Sequence, residues 1–439
     1  MNPIQIDLTS NILTKKKVNV VTLGCSKNTV DTETLQGMLK YNNIELTDQA
    51  EGSDILIINT CGFIDVAKEE SINAILEAGE LKKLGKIKEI YVAGCLSERY
   101  TEDMKLELPE VDNFFGVTDF KGIIESINPL QPSNLTGMRY VPEGTYSSYL
   151  KISEGCDNPC SFCAIPIMRG GHSSRSYEDI LIEANHLAQQ GVKEIILVAQ
   201  DSTYYGLDLY GERKLANLLD KVAQVRGIEW VRLMYAYPAK FPLDILPIIA
   251  QHDTICKYID MPIQHIADKV LKSMRRGITK RATLDLINKI RETIPNISLR
   301  TTLIIGYPNE GENEFQELME FVEEVKFDRL GVFDYSKEDN TTAFDLEDPI
   351  PEELKQERME RIMQLQQRIS SDKNDKLIGT YERVFVEAET EGEYTARSYR
   401  DAPEVDGQVY IKTDKVIKVG DFVDVKIVDA TDYDIFAEM

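Results

Sequence analysis

Three apolar runs end the same way: "KKVNVVTLGC" at Cys25, "DILIINTC" at Cys61 and "EIYVAGC" at Cys95. Each is followed by a loop and then by a helical pattern, expected over Val30 to Lys40, Asp65 to Lys83 and Glu98 to Leu108, with Asp65 a suitable N-cap for the second. Short apolar runs alternating with helices predict parallel strands in an α/β sheet, where ligands gather outside the carboxyl ends of the strands. A lone free cysteine is usually a small buried hydrophobe. Three cysteines at equivalent strand ends, 36 and 34 residues apart, have no packing reason to choose that place. If the strands are neighbours, the sulfurs converge on one edge and form a three-thiolate metal or cluster site.

The second cysteine feature is local. "SEGCDNPCSFCAIPIMRGG" places Cys156, Cys160 and Cys163 in a Cys-x-x-x-Cys-x-x-Cys spacing after a strand pattern. Three thiolates in eight residues suit one corner of a 4Fe-4S cluster, leaving one iron open. A structural zinc site wants four ligands, and His172, nine residues beyond Cys163, has no second pair near it.

The rest of the chain supplies the frame. A proline-rich linker, Ile127 to Tyr146, reads as a boundary after the first α/β unit (15–130). Residues 147–373 alternate strand and helix patterns through "SSYLKIS", "EIILVAQD", "EWVRLMYA", "KYIDMPI", "SLRTTLIIG" and "RLGVFDYS". Six such strands predict a full or partial β/α barrel, and pattern alone leaves a doubly wound sheet open. After the long helical stretch "PEELKQERMERIMQLQQRISSDKNDKL", residues 375–439 read as short strands of a small antiparallel, OB-like β-barrel.

Charge and composition narrow the partners. With 74 acidic and 50 basic residues the formal net charge is -24, and residues 375–439 alone carry 16 acidic and 8 basic side chains. That balance argues against gripping tRNA or another phosphate backbone, and it favours a basic protein partner, with the acidic run "FVEAETEGE" one surface for it. No run reaches the length of a membrane helix, and the N-terminal "MNPIQIDLTSNILTKKK" has no signal-peptide pattern, so a cytoplasmic location is expected, where grouped thiols bind metal or react. Isolated residues stay ambiguous. Cys256 reads as a structural thiol, "KSMRRG" as a solvated helix end, and Gln200, Asp201, Gln264 and His265 either line a barrel mouth or are satisfied structural groups.

The cysteine loop resembles that of the radical S-adenosylmethionine (SAM) superfamily. Together with the first cysteine set and the terminal barrel, the stretches "GCSKNTVDTE", "NTCGFIDVAKEES", "GVTDF", "MRGGHSSRSYEDI", "AQDSTYYG" and "SYRDAPEVDG" make nearly the whole chain similar to the methylthiotransferases, above all those that modify an aspartate of small-subunit ribosomal protein S-twelve. The resemblance implies two 4Fe-4S clusters, an auxiliary one on Cys25, Cys61 and Cys95 and the SAM cluster on Cys156, Cys160 and Cys163, and a terminal TRAM domain. It implies SAM as both methyl donor and radical source, methylthio insertion at the aspartate β-carbon, and Phe162 beside the adenine; Gln200 and His265, from their place at strand ends, are candidate cofactor contacts. The implied partners are the ribosomal protein, free or in the ribosome, and an electron donor such as flavodoxin or ferredoxin. A tRNA adenosine methylthiotransferase and a non-catalytic iron-sulfur carrier are the competing expectations. One departure is Asn309 in "IIGYPNEGENEF", where relatives commonly carry glycine; asparagine tolerates left-handed geometry, so the turn is expected to survive.

Overall fold

The computed structural model describes residues 15–129, 139–347 and 350–439; the start of the stretch read for a signal peptide, 1–14, and residues 130–138 of the linker lie outside them. The chain divides into two compact units, Met1–Tyr140 and Val141–Met439.

The first unit is a parallel sheet of β1 (Lys17–Thr22), β2 (Glu45–Leu46), β3 (Ile55–Thr60), β4 (Glu89–Gly94) and β5 (Asn113–Phe114), in the order β2-β1-β3-β4-β5. Every residue of the central strand β3 is buried. Alternate side chains feed opposite faces: Ile55 and Ile57 pack with Leu35, Leu39 and Ile124, while Leu56 and Ile58 pack with Ile75, Ala78 and Leu96. A parallel sheet covered on both faces explains why "DILIINT" shows no polar alternation. Helices α1 (Ser26–Tyr41), α2 (Asp65–Lys83) and α3 (Cys95–Glu107) follow β1, β3 and β4. Two of them begin earlier than the periodicity suggested. Asp65 is not the cap of α2: Ile64 holds that place with an extended backbone, and Asp65 is the first helical residue, where its charge favours the helix amino terminus.

The second unit contains six parallel strands, β6 (Ser147–Lys151), β9 (Glu194–Val198), β10 (Trp230–Leu233), β11 (Ile255–Asp260), β12 (Ser298–Ile305) and β13 (Arg329–Asp334), joined in simple chain order from β6 to β13. A doubly wound sheet reverses its winding direction, and this one never does. It is an open, partial β/α barrel. Its convex face packs on helices through Leu150, Ile195, Leu197, Val231, Leu299 and Leu303. Between β6 and β9 lies a short antiparallel pair, β7 (Ser153–Glu154) with β8 (Ser173–Ser174), which pinches the base of the cysteine loop.

The same unit ends in a closed barrel of β14 (Tyr381–Thr390), β15 (Glu393–Ser398), β16 (Val409–Lys412), β17 (Phe422–Ala430) and β18 (Ile435–Glu438). All pairs are antiparallel except β16 with β18. A closed ring with an odd number of strands cannot alternate direction all the way round, so one parallel pair is required.

This small barrel covers part of the concave face of the larger sheet. Phe385 and Ala402 pack with Ile196, Val198, Trp230, Cys256 and Tyr258. Buried charge clamps the contact: Glu194 accepts from Arg232 Nε at 3.0 Å and Arg397 Nη1 at 3.2 Å, Asp401 from Arg329 Nε at 2.7 Å, and Asp406 from Tyr258 Oη at 2.9 Å. Burial alone would raise the Glu194 carboxyl, but Arg397 and Arg232 hold it down at about 2. Thus the Asp401 and Asp406 of "SYRDAPEVDG" are clamps between barrel and sheet.

Candidate metal centres

In the first unit β1, β3 and β4 are adjacent, as the strand-end reading required. Thr22 is registered with Asn59, and Thr60 with Gly94. Cys61 and Cys95 are the next residues after a registered pair, and Cys25 follows Thr22 by three. The loops touch. A Cβ on Gly24, whose φ is +88°, would lie 2.8 Å from Cys61 Sγ, and one on Gly62 would lie 2.8 Å from the Leu96 backbone next to Cys95. Only glycine fits beside the Cys61 sulfur. Cys25 is the N-cap of α1 and Cys95 the first residue of α3, so both stand where the helix dipole favours a thiolate. Buried asparagines fasten this edge: Asn28 Nδ2 donates to Leu23 O at 2.8 Å and Thr60 O at 3.1 Å, and Asn59 Nδ2 to Asn28 O at 3.1 Å.

In the second unit the loop carrying Cys156, Cys160 and Cys163 springs from the β7/β8 pair. Cys156 N donates to Gly170 O at 3.1 Å, and a Cβ on Gly155, at φ +69°, would fall 2.1 Å from Gly171 O. Backbone therefore packs on backbone at the loop's neck, which explains the glycine of "SEGC", while Gly170 of "MRGG" takes a left-handed φ of +72°. Burial pushes the Cys156 thiol up to about 11 and the Cys163 thiol up to about 12, and Cys160 adds to both through its proximity. Asn158 Nδ2 bridges Cys156 Sγ at 3.4 Å and Asp201 Oδ2 at 2.8 Å. Cys160 Sγ accepts from Arg276 Nη1 at 3.2 Å and lies 3.7 Å from Tyr237 Oη.

Among the described residues no three His, Cys, Asp or Glu side chains close on a single ion. That is compatible with a cubane, whose cysteines each bind a different iron and stand further apart than the ligands of one metal. The donor sets, three thiols at one sheet edge and three in one loop, match an iron-sulfur cluster better than zinc.

The remaining candidates divide. Phe162 lies edge-on to Tyr307, with ring centroids 6.5 Å apart, and packs against Met274 and Tyr335. Gln200 donates to Glu154 Oε1 at 2.8 Å, while its own carbonyl oxygen is buried without a partner among the described residues. Burial would raise Glu154, yet Lys151 and Arg169 pull it down to about 2. His265 is fully buried, accepts from Ala267 N at 3.1 Å and stands 3.3 Å from Glu310. Cys256 is buried in the core beside Trp230 and Tyr258. Asn309 has φ 79°, the left-handed turn expected of it. "KSMRRG" splits: Lys272 and Arg275 are exposed, but Arg276 is 4 % exposed and reaches Cys160, so the solvated reading fails there. Arg275 adopts φ 55°, and periodicity carries no signal for such a turn.

Comparison with known proteins agrees with this architecture. The sequence matches the uncharacterized protein family UPF0004 over residues 17–116, the radical SAM superfamily over 150–322 and the TRAM domain over 378–439. The fold is similar to that of the radical S-adenosylmethionine methyltransferase TsrM from Kitasatospora setae, with TM-score 0.56 and 14% identity over 75% of this chain and 77% of that one. Fold and cysteine loop together define a radical SAM enzyme. The chain is 49% identical to the ribosomal protein uS12 methylthiotransferase RimO of Christiangramia forsetii, covering 97% of this chain and 95% of the relative, and 45% identical to that of Clostridioides difficile, covering 96% and 98%. It belongs to the RimO family of ribosomal protein uS12 methylthiotransferases.

Proposed function

We propose that this chain inserts a methylthio group at the β-carbon of an aspartate of ribosomal protein uS12, in the cytoplasm, on the free protein or on the ribosome. The observation that carries the reading is the first cysteine set, at the ends of β1, β3 and β4, in a unit separate from the radical SAM barrel. We assign an auxiliary 4Fe-4S cluster to Cys25, Cys61 and Cys95 in a domain of residues 15–130. The SAM cluster falls to Cys156, Cys160 and Cys163 in a domain of residues 147–373, and residues 375–439 form the terminal barrel. Bound there, the clusters and SAM supply the sulfur, the methyl group and the one-electron chemistry that an unactivated C–H bond demands. The protein's own residues shape the loop and shield it: the Gly155 neck fixes its path, Phe162 offers an apolar edge to the adenine, and the Gln200 carbonyl is an acceptor for the cofactor. The acidic terminal barrel suits a basic ribosomal protein and disfavours the tRNA alternative. A small electron carrier such as flavodoxin or ferredoxin completes the partners.

Anaerobic reconstitution with iron counting tests the assignment. Cys61→Ala and Cys160→Ala are each expected to lose about half of the wild-type iron, as two equal clusters require. Wild type with a single cluster, or either variant losing both, refutes it. Cleavage of SAM under reducing conditions separates an enzyme from a passive cluster carrier.

A further inference from the structure

Arg276 is nearly buried, yet among the described residues no carboxylate pairs with it: Nη1 donates to Cys160 Sγ at 3.2 Å, Nη2 to the Pro262 carbonyl, and Nε has no partner. The guanidinium carbon lies 4.2 Å from the Tyr237 ring centroid, and Tyr237 Oη donates back to Arg276 O at 2.8 Å. A buried cation without a counter-charge is costly, and an aromatic face offsets only part of that cost. The balance closes when the neighbouring thiols become thiolates, the form in which cysteine binds iron.

We propose that Arg276 is the counter-ion and hydrogen-bond donor of the Cys160 thiolate in the loaded cluster, and that it raises the reduction potential of that cluster. The proposal rests on the assignment of Cys160 as a ligand. Net charge and hydrogen bonds to the sulfurs set the potentials of such clusters. A fixed cation stabilises the reduced state, with its extra electron, more than the oxidised one. Arg276 acts through Cys160, so it is a positioning residue.

The test uses the full chain carrying Cys61→Ala, so that only the loop cluster loads, in an anaerobic redox titration followed by electron paramagnetic resonance. Arg276→Gln is expected to lower the reduced-to-oxidised ratio at a fixed potential about tenfold, equivalent to about 59 mV for one electron. Arg276→Lys, which keeps the charge, recovers more than half of that shift. A Gln variant titrating with the parent, or a Lys variant shifted as far as Gln, overturns the proposal while leaving the ligand assignment intact. If the Gln chain takes up no iron, loading of the Lys chain supports the counter-charge and failure of both overturns it. A Cys160→Ala chain that still holds this cluster sinks the assignment and the proposal together.

Discussion

Replacing Glu194 by glutamine tests how the small barrel is held on the larger sheet. Glu194 and Arg232 have no exposed surface, and the glutamate accepts from Arg232, Arg397 and Ser147 Oγ, the last at 2.8 Å. Arg397 keeps Glu387 at 2.8 Å, whereas among the described residues Arg232 keeps only the Tyr399 carbonyl and two aromatic faces. Removing one partner of a buried ion pair costs about 3–5 kcal/mol. Linkage gives a similar figure, because a carboxyl held at about 2 against an ordinary 4.5 is worth about 3 kcal/mol at neutral pH. The folded value is depressed, so this contribution is complete above pH 4.5 and is lost as the pH falls from there towards 2. The stability gap between wild type and Glu194→Gln should therefore be widest at neutral pH and close across that window. Trp230, the chain's one tryptophan, stacks edge-on to Phe422 at 4.8 Å, so its emission during urea titration reports this contact. A gap below about 1 kcal/mol at pH 7, or one that persists unchanged to pH 3, would contradict the clamp.

Three further outcomes are expected. Gly155→Ala forces a Cβ into Gly171 O, so iron on the loop cysteines should be lost while the sheet-edge cysteines keep theirs; normal total iron would show that the neck tolerates the side chain. Asn28→Ala strips hydrogen bonds from two carbonyls beside the first cysteine set and should cost about 1–3 kcal/mol, read as faster amide exchange in β1 and β3; unchanged protection speaks against the fastening role. Cys256→Ala should leave iron content unaltered and cost about 1 kcal/mol, whereas a drop in iron would make this thiol a ligand.

Much of this architecture could be read without coordinates. The "VVTLGC", "IINTC" and "YVAGC" units announce parallel strands with functional ends, because a strand buried on both faces must be apolar and its carboxyl end must turn into a helix. The Asn309 turn was legible for a similar reason, since few side chains accept its backbone. Periodicity, by contrast, misplaced the starts of α1 and α3. It shows which face of a helix is buried but is silent on the first turn, where Cys25 caps α1 and Gly94 caps α3, neither with a side-chain hydrogen bond.

Local pattern, carried by apolar runs and cysteine spacing, thus specified the secondary structure, the two thiol sets and the chemistry they invite. Winding direction depends on which strands pair, and that is a property of long-range contacts. So are the adjacency of β1, β3 and β4 and the Glu194 clamp, whose partners Arg232 and Arg397 are 38 and 203 residues away. Tertiary packing also decided the fate of neighbours in one motif: in "KSMRRG" the left-handed turn at Arg275 sends one arginine to solvent and the next beneath Cys160, a difference no composition or period records.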